Sequence, residues 1–368
     1  VIEAFDLKRS DYNTDEVIQT NQVRAIYKNK FYEKLLLVDK DNGGKADALN
    51  VGINFSRYEY VCGIDADSII ESDGLLKMMS SVLDHDEITL ALGGSIVPVN
   101  GSVVDHGFVE KYGLPKSFLT RAQTIEYIRA FNTGRLAFSR MKSLLIISGA
   151  FGLFEKHMLI KVGGYLSASS FKKKTVGEDM ELVVRVTRLA TESNLKHRVK
   201  YVPMARCYTE VPSKLKILLN QRNRWQRGLI ETLSFHRHMI LNPQFGSRGL
   251  VGMPYFFLFE MVAPLLELQI YLSLIAGLIF GIFDGVFLLL LMVVTCLLGM
   301  ILSMTSLLVQ ERYAHPLSVK DTFVMIFFAI IENFGWRQFI NIYRSLGFFS
   351  SLKGKSSWGS MVRTGFRK

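Results

Sequence analysis

The stretch "YEYVCGIDADS", residues 58–68, runs from an apolar segment directly into two aspartates that are separated by one alanine. Its first eight residues predict a β-strand, because aromatic and β-branched side chains predominate in them. Successive side chains of an extended chain point to opposite faces, so residues two apart share a face. We therefore expect Asp65 and Asp67 to present both carboxylates to one ligand beyond the end of the strand.

Two carboxylates at a strand end suit a hard divalent cation. Mg²⁺ and Mn²⁺ prefer oxygen ligands, and Mg²⁺ is commonly held by one or two carboxylates together with substrate phosphates. On the triplet alone, a metal–diphosphate site and a plain polar turn are equally good explanations. Asp-x-Asp also occurs at 39–41 and 84–86. Asp84 and Asp86 follow a predicted helix, and surface solvation is the better interpretation there.

Strands and helices alternate on both sides of this stretch. The patterns of apolar residues predict strands at 33–39, 58–65, 88–99 and 143–154, and helices at 44–56, 72–83, 122–141 and 177–193. Such alternation predicts an α/β fold, with a mostly parallel sheet covered by helices on both faces. Sheets of this kind bind ligands at the carboxyl ends of their strands, which is where the two aspartates are expected.

Two further segments carry groups suited to an anion and to acid–base chemistry. "NGGKADALN", residues 42–50, places two glycines and Lys45 at the start of a helix. Glycines allow backbone amides to approach an anion, and a helix N-terminus favours negative charge. "GEDMEL", residues 177–182, opens another helix with Glu178 and Asp179. Acids there are often only caps, but two adjacent acids after a glycine also suit a general base.

The segment "QRNRWQRG", residues 221–228, surrounds a tryptophan with three arginines. Guanidinium groups suit phosphate oxygens, and an indole suits the apolar face of a sugar ring. The alternative is that Trp225 is an aromatic anchor at a membrane interface. The two roles are compatible.

The C-terminal part of the chain predicts membrane segments. Residues 286–309 are 24 residues without a charge, long enough to cross a bilayer. Residues 268–283 are also uncharged, but this stretch is shorter. It would need the preceding flank, which holds Glu260 and Glu267, to cross the bilayer fully. A third apolar stretch, 322–331, either spans or lies at the interface, so the number of crossings stays open.

The formal net charge of +11 arises from two basic stretches. Residues 213–252 hold seven Lys or Arg against one acid, and residues 344–368 hold six and no acid. Because both flank apolar segments, we interpret them as a positive-inside signal that places the first 250 residues and the tail in the cytoplasm. Nucleic-acid binding is the rival explanation, but these positions favour membrane lipid. The three cysteines are far apart and imply no disulfide framework.

Together these segments resemble family 2 glycosyltransferases of the membrane-bound, processive kind, namely the cellulose, chitin, hyaluronan and poly-N-acetylglucosamine synthases. The resemblance runs from about residue 30 to residue 260, with "WGSMVRTGF" at 358–366 as weaker support. It rests on six motifs in the family's order, which are "NGGKADALN", "DADS" (65–68), "SGAFGLF" (148–154), "GEDMEL", "TEVP" (209–212) and "QRNRWQRG". It implies a GT-A-type domain followed by interfacial and transmembrane helices.

The resemblance also implies roles on the donor side and for catalysis. Asp65 and Asp67 would bind the nucleotide diphosphate through Mg²⁺ or Mn²⁺, with Asp67 the more direct metal ligand. Lys45 and Arg224 would contact the nucleotide or its phosphates. Asp179 would be the base that deprotonates the acceptor hydroxyl.

On the acceptor side, the resemblance implies that Trp225 is a platform for the terminal sugar. Gln221 belongs to the same Q-x-x-R-W motif. Gly149, from "SGAFGLF", and Glu178 complete the expected acceptor-binding set.

The activity implied is an inverting, metal-dependent hexosyltransferase of an inner or plasma membrane. It would lengthen a β-linked polysaccharide from UDP-GlcNAc or another UDP-hexose, with coupling to export and possible roles for accessory export subunits. The alternatives are a non-processive transferase that makes a glycolipid and a catalytically inactive membrane scaffold. The expected partners are a nucleotide sugar, a polysaccharide or glycolipid acceptor and membrane lipid, and not nucleic acid.

The resemblance divides the chain into four parts. These are a catalytic domain at 1–212, an amphipathic interfacial segment at 213–252, transmembrane or interfacial helices at 253–343 and a basic tail at 344–368. Family members carry an earlier strand, and an Asp that reads the nucleotide base, before the region where this chain begins. Asp6, Asp11 and Asp15 do not match that Asp, so we expect the N-terminal strand to be missing.

Overall fold

The structure is a computed structural model that describes residues 1–11, 17–83, 87–171, 175–282, 284–313 and 317–352. Asp15, the triplet at 84–86 and the "WGSMVRTGF" segment lie outside the described residues.

The strands of the described residues are β1 (Lys8–Arg9), β2 (Val23–Lys28), β3 (Leu36–Lys40), β4 (Tyr60–Ile64), β5 (Ser68–Ile70), β6 (Ile88–Pro98), β7 (Val103–Asp105), β8 (Phe108–Lys111), β9 (Phe151–Glu155) and β10 (His197–Thr209). The α-helices are α1 (Lys45–Phe55), α2 (Gly74–Leu83), α3 (Phe118–Ile128), α4 (Leu136–Arg140), α5 (Lys156–Lys161), α6 (Ala168–Phe171), α7 (Glu178–Glu192), α8 (Leu215–Phe235), α9 (Met253–Tyr255), α10 (Ala263–Ile279), α11 (Gly285–Tyr313), α12 (Val319–Ile331) and α13 (Trp336–Leu352). Segments of π-helix occupy Arg129–Arg135, Arg248–Gly252 and Phe256–Val262.

The main sheet has five strands in the order β4-β9-β6-β10-β5. β6 and β10 pair in parallel, whereas β4–β9, β9–β6 and β10–β5 are antiparallel. The α/β architecture is confirmed, but the sheet is mixed rather than mostly parallel. Strands that alternate with helices are parallel only if each connection carries the chain back to the end of the sheet at which the previous strand began. The connection that precedes β9 does not do so, and β9 is antiparallel to β6.

A separate antiparallel sheet has the order β1-β2-β3. β3 overlaps the strand predicted at 33–39 and extends one residue beyond it. The sequence does not predict β1 or β2. The β2 sequence "VRAIYK" has no regular alternation of apolar and polar residues. Its pairing with β3 is therefore visible only in three dimensions.

The core of the main sheet is built around β6, whose residues are almost all buried. Its continuous apolar run requires cover on both faces, and α2, α3 and α7 pack against it. Gly94 of β6 lies opposite an irregularity of β10 between Val202 and Arg206. A Cβ atom there would come within 2.6 Å of the Ala205 carbonyl oxygen, so a larger residue would push these strands apart.

The segment 143–154 is only partly a strand, because β9 begins at Phe151. Just before it, the Phe151 N–H donates to the Ser148 carbonyl oxygen at 3.2 Å and closes a turn. The expected strand is therefore wrong for residues 143–150. The turn leaves Gly149 outside the sheet, beside the start of α7.

Two helical stretches, Arg248–Ile279 and Gly285–Tyr313, are long and apolar enough to cross a membrane. Val319–Ile331 and Trp336–Ser351, bent by 58°, would be a third span if they act as one. Glu260 and Glu267 both contact α13. Glu260 pairs with Arg344 at 2.8 Å, and Glu267 accepts a hydrogen bond from Asn341 at 2.7 Å.

Candidate active site

The two aspartates of "DADS" lie in a tight turn between β4 and β5. The Ser68 N–H donates to the Asp65 carbonyl oxygen at 3.0 Å. The expectation that extended backbone sets both side chains on one face is therefore wrong at this point, because the strand already ends at Ile64. Any convergence of Asp65 and Asp67 on one ligand must come from the turn instead.

Lys45 joins three segments of the site. It is the first residue of α1, after Gly44, whose φ of 85° lies in the region that glycine tolerates. Its Nζ pairs with Asp65 Oδ1 at 2.5 Å and donates to the Gly149 carbonyl oxygen at 3.1 Å. The same Nζ lies 3.7 Å from Glu178 Oε1. One cation thus draws the "NGGKADALN", "DADS", "SGAFGLF" and "GEDMEL" motifs together.

Backbone amides hold Asp179 in place. The Gly149 N–H donates to Asp179 Oδ2 at 3.3 Å, and the Met180 N–H donates to Oδ1 at 2.8 Å. A Cβ atom on Gly149 would come within 3.1 Å of Lys45 Nζ and 3.5 Å of Asp179 Cβ. Glycine at this position therefore leaves room for both the lysine and the carboxylate.

Glu178 is buried beside Asp179 and Lys45. Burial, and then the charge of Asp179, raise the pKa of Glu178 to about 7, although Lys45 and Arg224 oppose the rise. Near neutral pH this carboxyl group can therefore gain or lose a proton readily.

The "QRNRWQRG" segment lies within α8 and presents its aromatic ring outward. Trp225 is 42% exposed, whereas Gln221 is buried. The Arg222 guanidinium lies 4.2 Å from the centroid of the Trp225 ring. Arg222 also donates to Gln221 Oε1 at 3.1 Å and to Glu126 Oε2 at 2.7 Å. The contact of Arg222 with Glu126 could not be predicted from the sequence, because the two residues are 96 positions apart in the chain.

Two polar side chains of α1 that had no predicted role tie this helix to neighbouring segments. Buried Asp47 accepts hydrogen bonds from Lys40 Nζ, Ser169 Oγ and the Asn21 N–H. Asn50 Nδ2 donates to the Tyr165 carbonyl oxygen at 2.9 Å, and the Tyr165 N–H donates back to Asn50 Oδ1 at 2.7 Å. Their spacing of three residues on one helix face was the available signal.

Tyr165 is a further residue of the site that sequence reasoning missed. Burial raises its pKa, and the charges of Glu178 and Asp179 act in the same direction. The phenol therefore remains protonated near neutral pH.

The donor set fits a metal that shares its coordination with a substrate. Within the described ranges, no group of three or more His, Cys, Asp and Glu side chains is placed to hold a metal ion. The Asp65–Asp67 turn offers carboxylates, which suit Mg²⁺ or Mn²⁺ held by one or two of them and completed by diphosphate oxygens and water. The Lys45 ammonium beside the turn suits the diphosphate. The donor set does not suit a structural site enclosed by protein ligands alone.

Residues 11–228 match the family described as "Glycosyltransferase like family 2". The match covers more than half of the chain and includes every motif from "NGGKADALN" to "QRNRWQRG". The chain belongs to the family 2 glycosyltransferases. The predicted GT-A-type fold and the resemblance to processive polysaccharide synthases are thereby confirmed.

Relatives in the family include poly-β-1,6-N-acetyl-D-glucosamine synthases. The chain is 30% identical to that of Staphylococcus aureus over 215 residues, which are 58% of this chain and 45% of the relative. It is 28% identical to that of Staphylococcus epidermidis, with the same coverage. The chain thus spans about half the length of the curated relatives it matches.

A solved structure of similar architecture is the mannosyltransferase PcManGT from Pyrobaculum calidifontis in complex with GDP-Man and Mn²⁺. The two chains are 15% identical with a TM-score of 0.46, and the likeness covers 86% of this chain and 68% of the other.

Proposed function

We propose that this chain is an inverting glycosyltransferase that adds a sugar from a nucleotide-diphosphate sugar to the end of a growing β-linked polysaccharide at a membrane. One observation carries the proposal: the Lys45 ammonium contacts Asp65, Gly149 and Glu178. Gly149 in turn donates a hydrogen bond to Asp179. These residues come from four separate motifs. UDP-GlcNAc is the proposed donor, because the similar synthases are named for poly-N-acetylglucosamine.

On the donor side, Asp65 and Asp67 would hold Mg²⁺ or Mn²⁺ together with the diphosphate. A bound divalent ion would neutralise charge on the departing diphosphate. Lys45 and Arg224 would add positive charge to the same leaving group. The Lys45–Asp65 pair keeps the ammonium at the mouth of the turn before a donor binds.

On the acceptor side, Asp179 would take the proton of the attacking hydroxyl. The acceptor oxygen then bonds to the anomeric carbon as the bond from that carbon to the diphosphate breaks, and the diphosphate leaves with the electron pair. Attack from the face opposite the leaving group inverts the anomeric centre. The amide hydrogen bonds from Gly149 and Met180 orient Asp179 for this role.

Trp225 would be the surface on which the terminal sugar rests, since its ring is held by Arg222 yet partly exposed. Aromatic faces bury much apolar area in a fixed orientation. Gln221, Gly149 and Glu178 would complete the acceptor side. Glu178 would keep the acceptor end close to Asp179.

The membrane part of the proposal rests on α10 to α13. Glu267 of α10 and Glu260 of the π-helical segment before it contact α13 through Asn341 and Arg344, and charged groups within membrane segments commonly mark functional paths. We propose that the chain consists of the catalytic, interfacial, membrane and tail parts expected from its sequence. The catalytic part would face the cytoplasm and the polymer would be exported, alone or with accessory subunits.

The test is incubation of membranes that contain the chain with a panel of labelled nucleotide sugars and a divalent cation. The proposal predicts label from UDP-GlcNAc in high-molecular-mass material, and loss of that label with a chelator. Label only in solvent-extractable short products would indicate a glycolipid-forming transferase instead. Membranes that bind labelled UDP-sugars without any transfer would contradict the proposed activity and indicate an inactive scaffold.

A further inference from the structure

Helix α3 has no role in the donor and acceptor sets described above, yet one of its faces reaches the segment that carries the tryptophan motif. Gln123 is fully buried, and its Nε2 atom donates to the Pro212 carbonyl oxygen at 2.8 Å. Pro212 ends the "TEVP" motif, just before α8. Glu126 lies three residues further along α3, which places it on the same face of the helix.

Glu126 forms an ion pair with Arg222 of α8. The Arg222 Nη2 atom donates to Glu126 Oε2 at 2.7 Å. The Arg222 side chain is only 2% exposed, whereas that of Glu126 is 32% exposed. Removal of one partner from a buried pair leaves an uncompensated charge, so the position of the Glu126 carboxylate decides where the Arg222 guanidinium lies.

The same guanidinium covers one face of the Trp225 ring, with 4.2 Å between its Cζ atom and the ring centroid. A cation is attracted to the face of an indole. The Arg222 Nη1 atom also donates to Gln221 Oε1 at 3.1 Å. Both terminal nitrogens are thereby held, which fixes the plane of the guanidinium against the ring. Trp225 is nevertheless 42% exposed, so ring surface is left for a sugar.

The nearly opposite face of α3 is held by α12. Ile125 and Ile128 belong to a buried apolar cluster with Phe328 of α12. Arg129, directly after α3, pairs with the buried side chain of Glu332. Because α3 is engaged on both sides, the carboxylate of Glu126 projects toward α8 from a fixed support.

We propose that Glu126 is a positioning residue for the acceptor: through Arg222 it holds the Trp225 ring in the orientation on which a neutral sugar with an apolar face can rest. The inference rests on the proposed function of Trp225 as the acceptor platform. It extends the acceptor site from α8 to α3.

A less firmly held ring would place the acceptor hydroxyl less accurately before the anomeric carbon. Small displacements of a reacting group are costly to the rate. The donor residues Lys45 and Asp65 belong to other elements, so donor binding should be unaffected. Loss of Glu126 should therefore slow transfer to the polymer, while water can still attack the bound donor.

The experiment measures two rates in the same membranes: transfer of GlcNAc to polymer, and hydrolysis of UDP-GlcNAc to free sugar and UDP. The ratio of transfer to hydrolysis reports on acceptor positioning, because damage to the donor site or to the fold lowers both rates together. In Glu126→Ala and in Arg222→Met, we expect the ratio to fall by about tenfold and the donor KM to stay within about threefold of wild type. Glu110→Ala, which removes an exposed acid of β8, is the matched control and should keep the wild-type ratio.

A double-mutant cycle determines whether Glu126 acts through the ring. Residues that act as one unit have non-additive effects, so Glu126→Ala should lower the ratio by less than about twofold in a Trp225→Leu background. A full tenfold fall in that background would overturn the inference. An equal fall of transfer and hydrolysis in Glu126→Ala would also overturn it.

If Glu126→Ala does not accumulate in membranes, the double variant Glu126→Leu with Arg222→Met removes both charges, which is less damaging than loss of one partner. It should show the same fall in ratio, and a wild-type ratio would overturn the inference. Trp225→Leu with a wild-type ratio would instead refute the proposed platform. A low ratio in Trp225→Leu beside a wild-type ratio in Glu126→Ala would refute only the inference.

Discussion

Gly177 and Gly228 lie backbone against backbone, so close that a Cβ atom on Gly228 would come within 2.6 Å of the Gly177 Cα. The contact joins the start of α7, which carries Asp179, to α8, which carries Arg224 and Trp225. Glu231 of α8 strengthens it by accepting the Val176 N–H at 3.0 Å. The two motifs therefore form one rigid unit.

Gly228→Ala should separate these helices. The added Cβ atom meets backbone rather than a flexible side chain, so we expect a loss of about 3 kcal/mol of stability and a severe loss of transfer. Thermal unfolding and sugar transfer measure the two effects. Gly52→Ala is the control, because no atom lies within 4 Å of a Cβ atom at that position of α1, and alanine favours a helix. Equal behaviour of the two variants would contradict the proposed rigid unit.

Glu178→Gln should make stability less sensitive to pH. The folded-state pKa of Glu178, about 7, exceeds its usual value of 4.5. Between these values the folded protein binds the proton more tightly than the unfolded chain, so stability falls as pH rises through 7. Glutamine avoids that loss, and its Tm should exceed that of wild type by about 5 °C near pH 8 but not near pH 5. Glu192→Gln, at the partly exposed end of the same helix, should show no such difference between the two pH values.

Trp225→Leu should distinguish the two roles considered for Trp225, which are a platform for the acceptor sugar and an anchor at the membrane interface. Leucine keeps an apolar side chain on α8 but removes the aromatic face and its contact with Arg222. If the ring supports the acceptor, the variant should remain in the membrane and bind UDP, while polymer yield falls by about tenfold or more. Membrane fractionation, UDP binding and polymer size measure the three properties. Leu215→Ala, an exposed apolar position on the same helix, is the control. A wild-type polymer yield from Trp225→Leu would contradict the platform role and leave only the role of membrane anchor.

The motifs could be found in the sequence because their chemistry is local. Lys45, Asp179 and Trp225 are each recognisable from a few neighbours and from the helix that follows or contains them. The helices α1 and α7 and the strands β4 and β6 were likewise predictable from apolar patterns. The coarse fold follows from these elements.

The pairing of β9 was not predictable, because it depends on the path of residues 141–150 and not on their composition. The same limit applies to the contact of Arg222 with Glu126, which joins α8 to α3. The backbone between Asp65 and Asp67 was predicted as extended because the preceding strand pattern gives no sign of where it ends. Interactions between distant segments decided the first two, whereas the local hydrogen bond from the Ser68 N–H to the Asp65 carbonyl oxygen closes the turn.

The most direct test of the account is Asp179→Asn, with donor binding and sugar transfer measured in the same membranes. Asparagine keeps the shape of the side chain and can still accept one of the hydrogen bonds from Gly149 and Met180, but it cannot take a proton. We expect divalent-dependent UDP-GlcNAc binding to stay within about threefold of wild type, while transfer falls by about a thousandfold. Transfer at the wild-type rate, or donor binding that falls as far as transfer does, would contradict the assignment of Asp179 as the base.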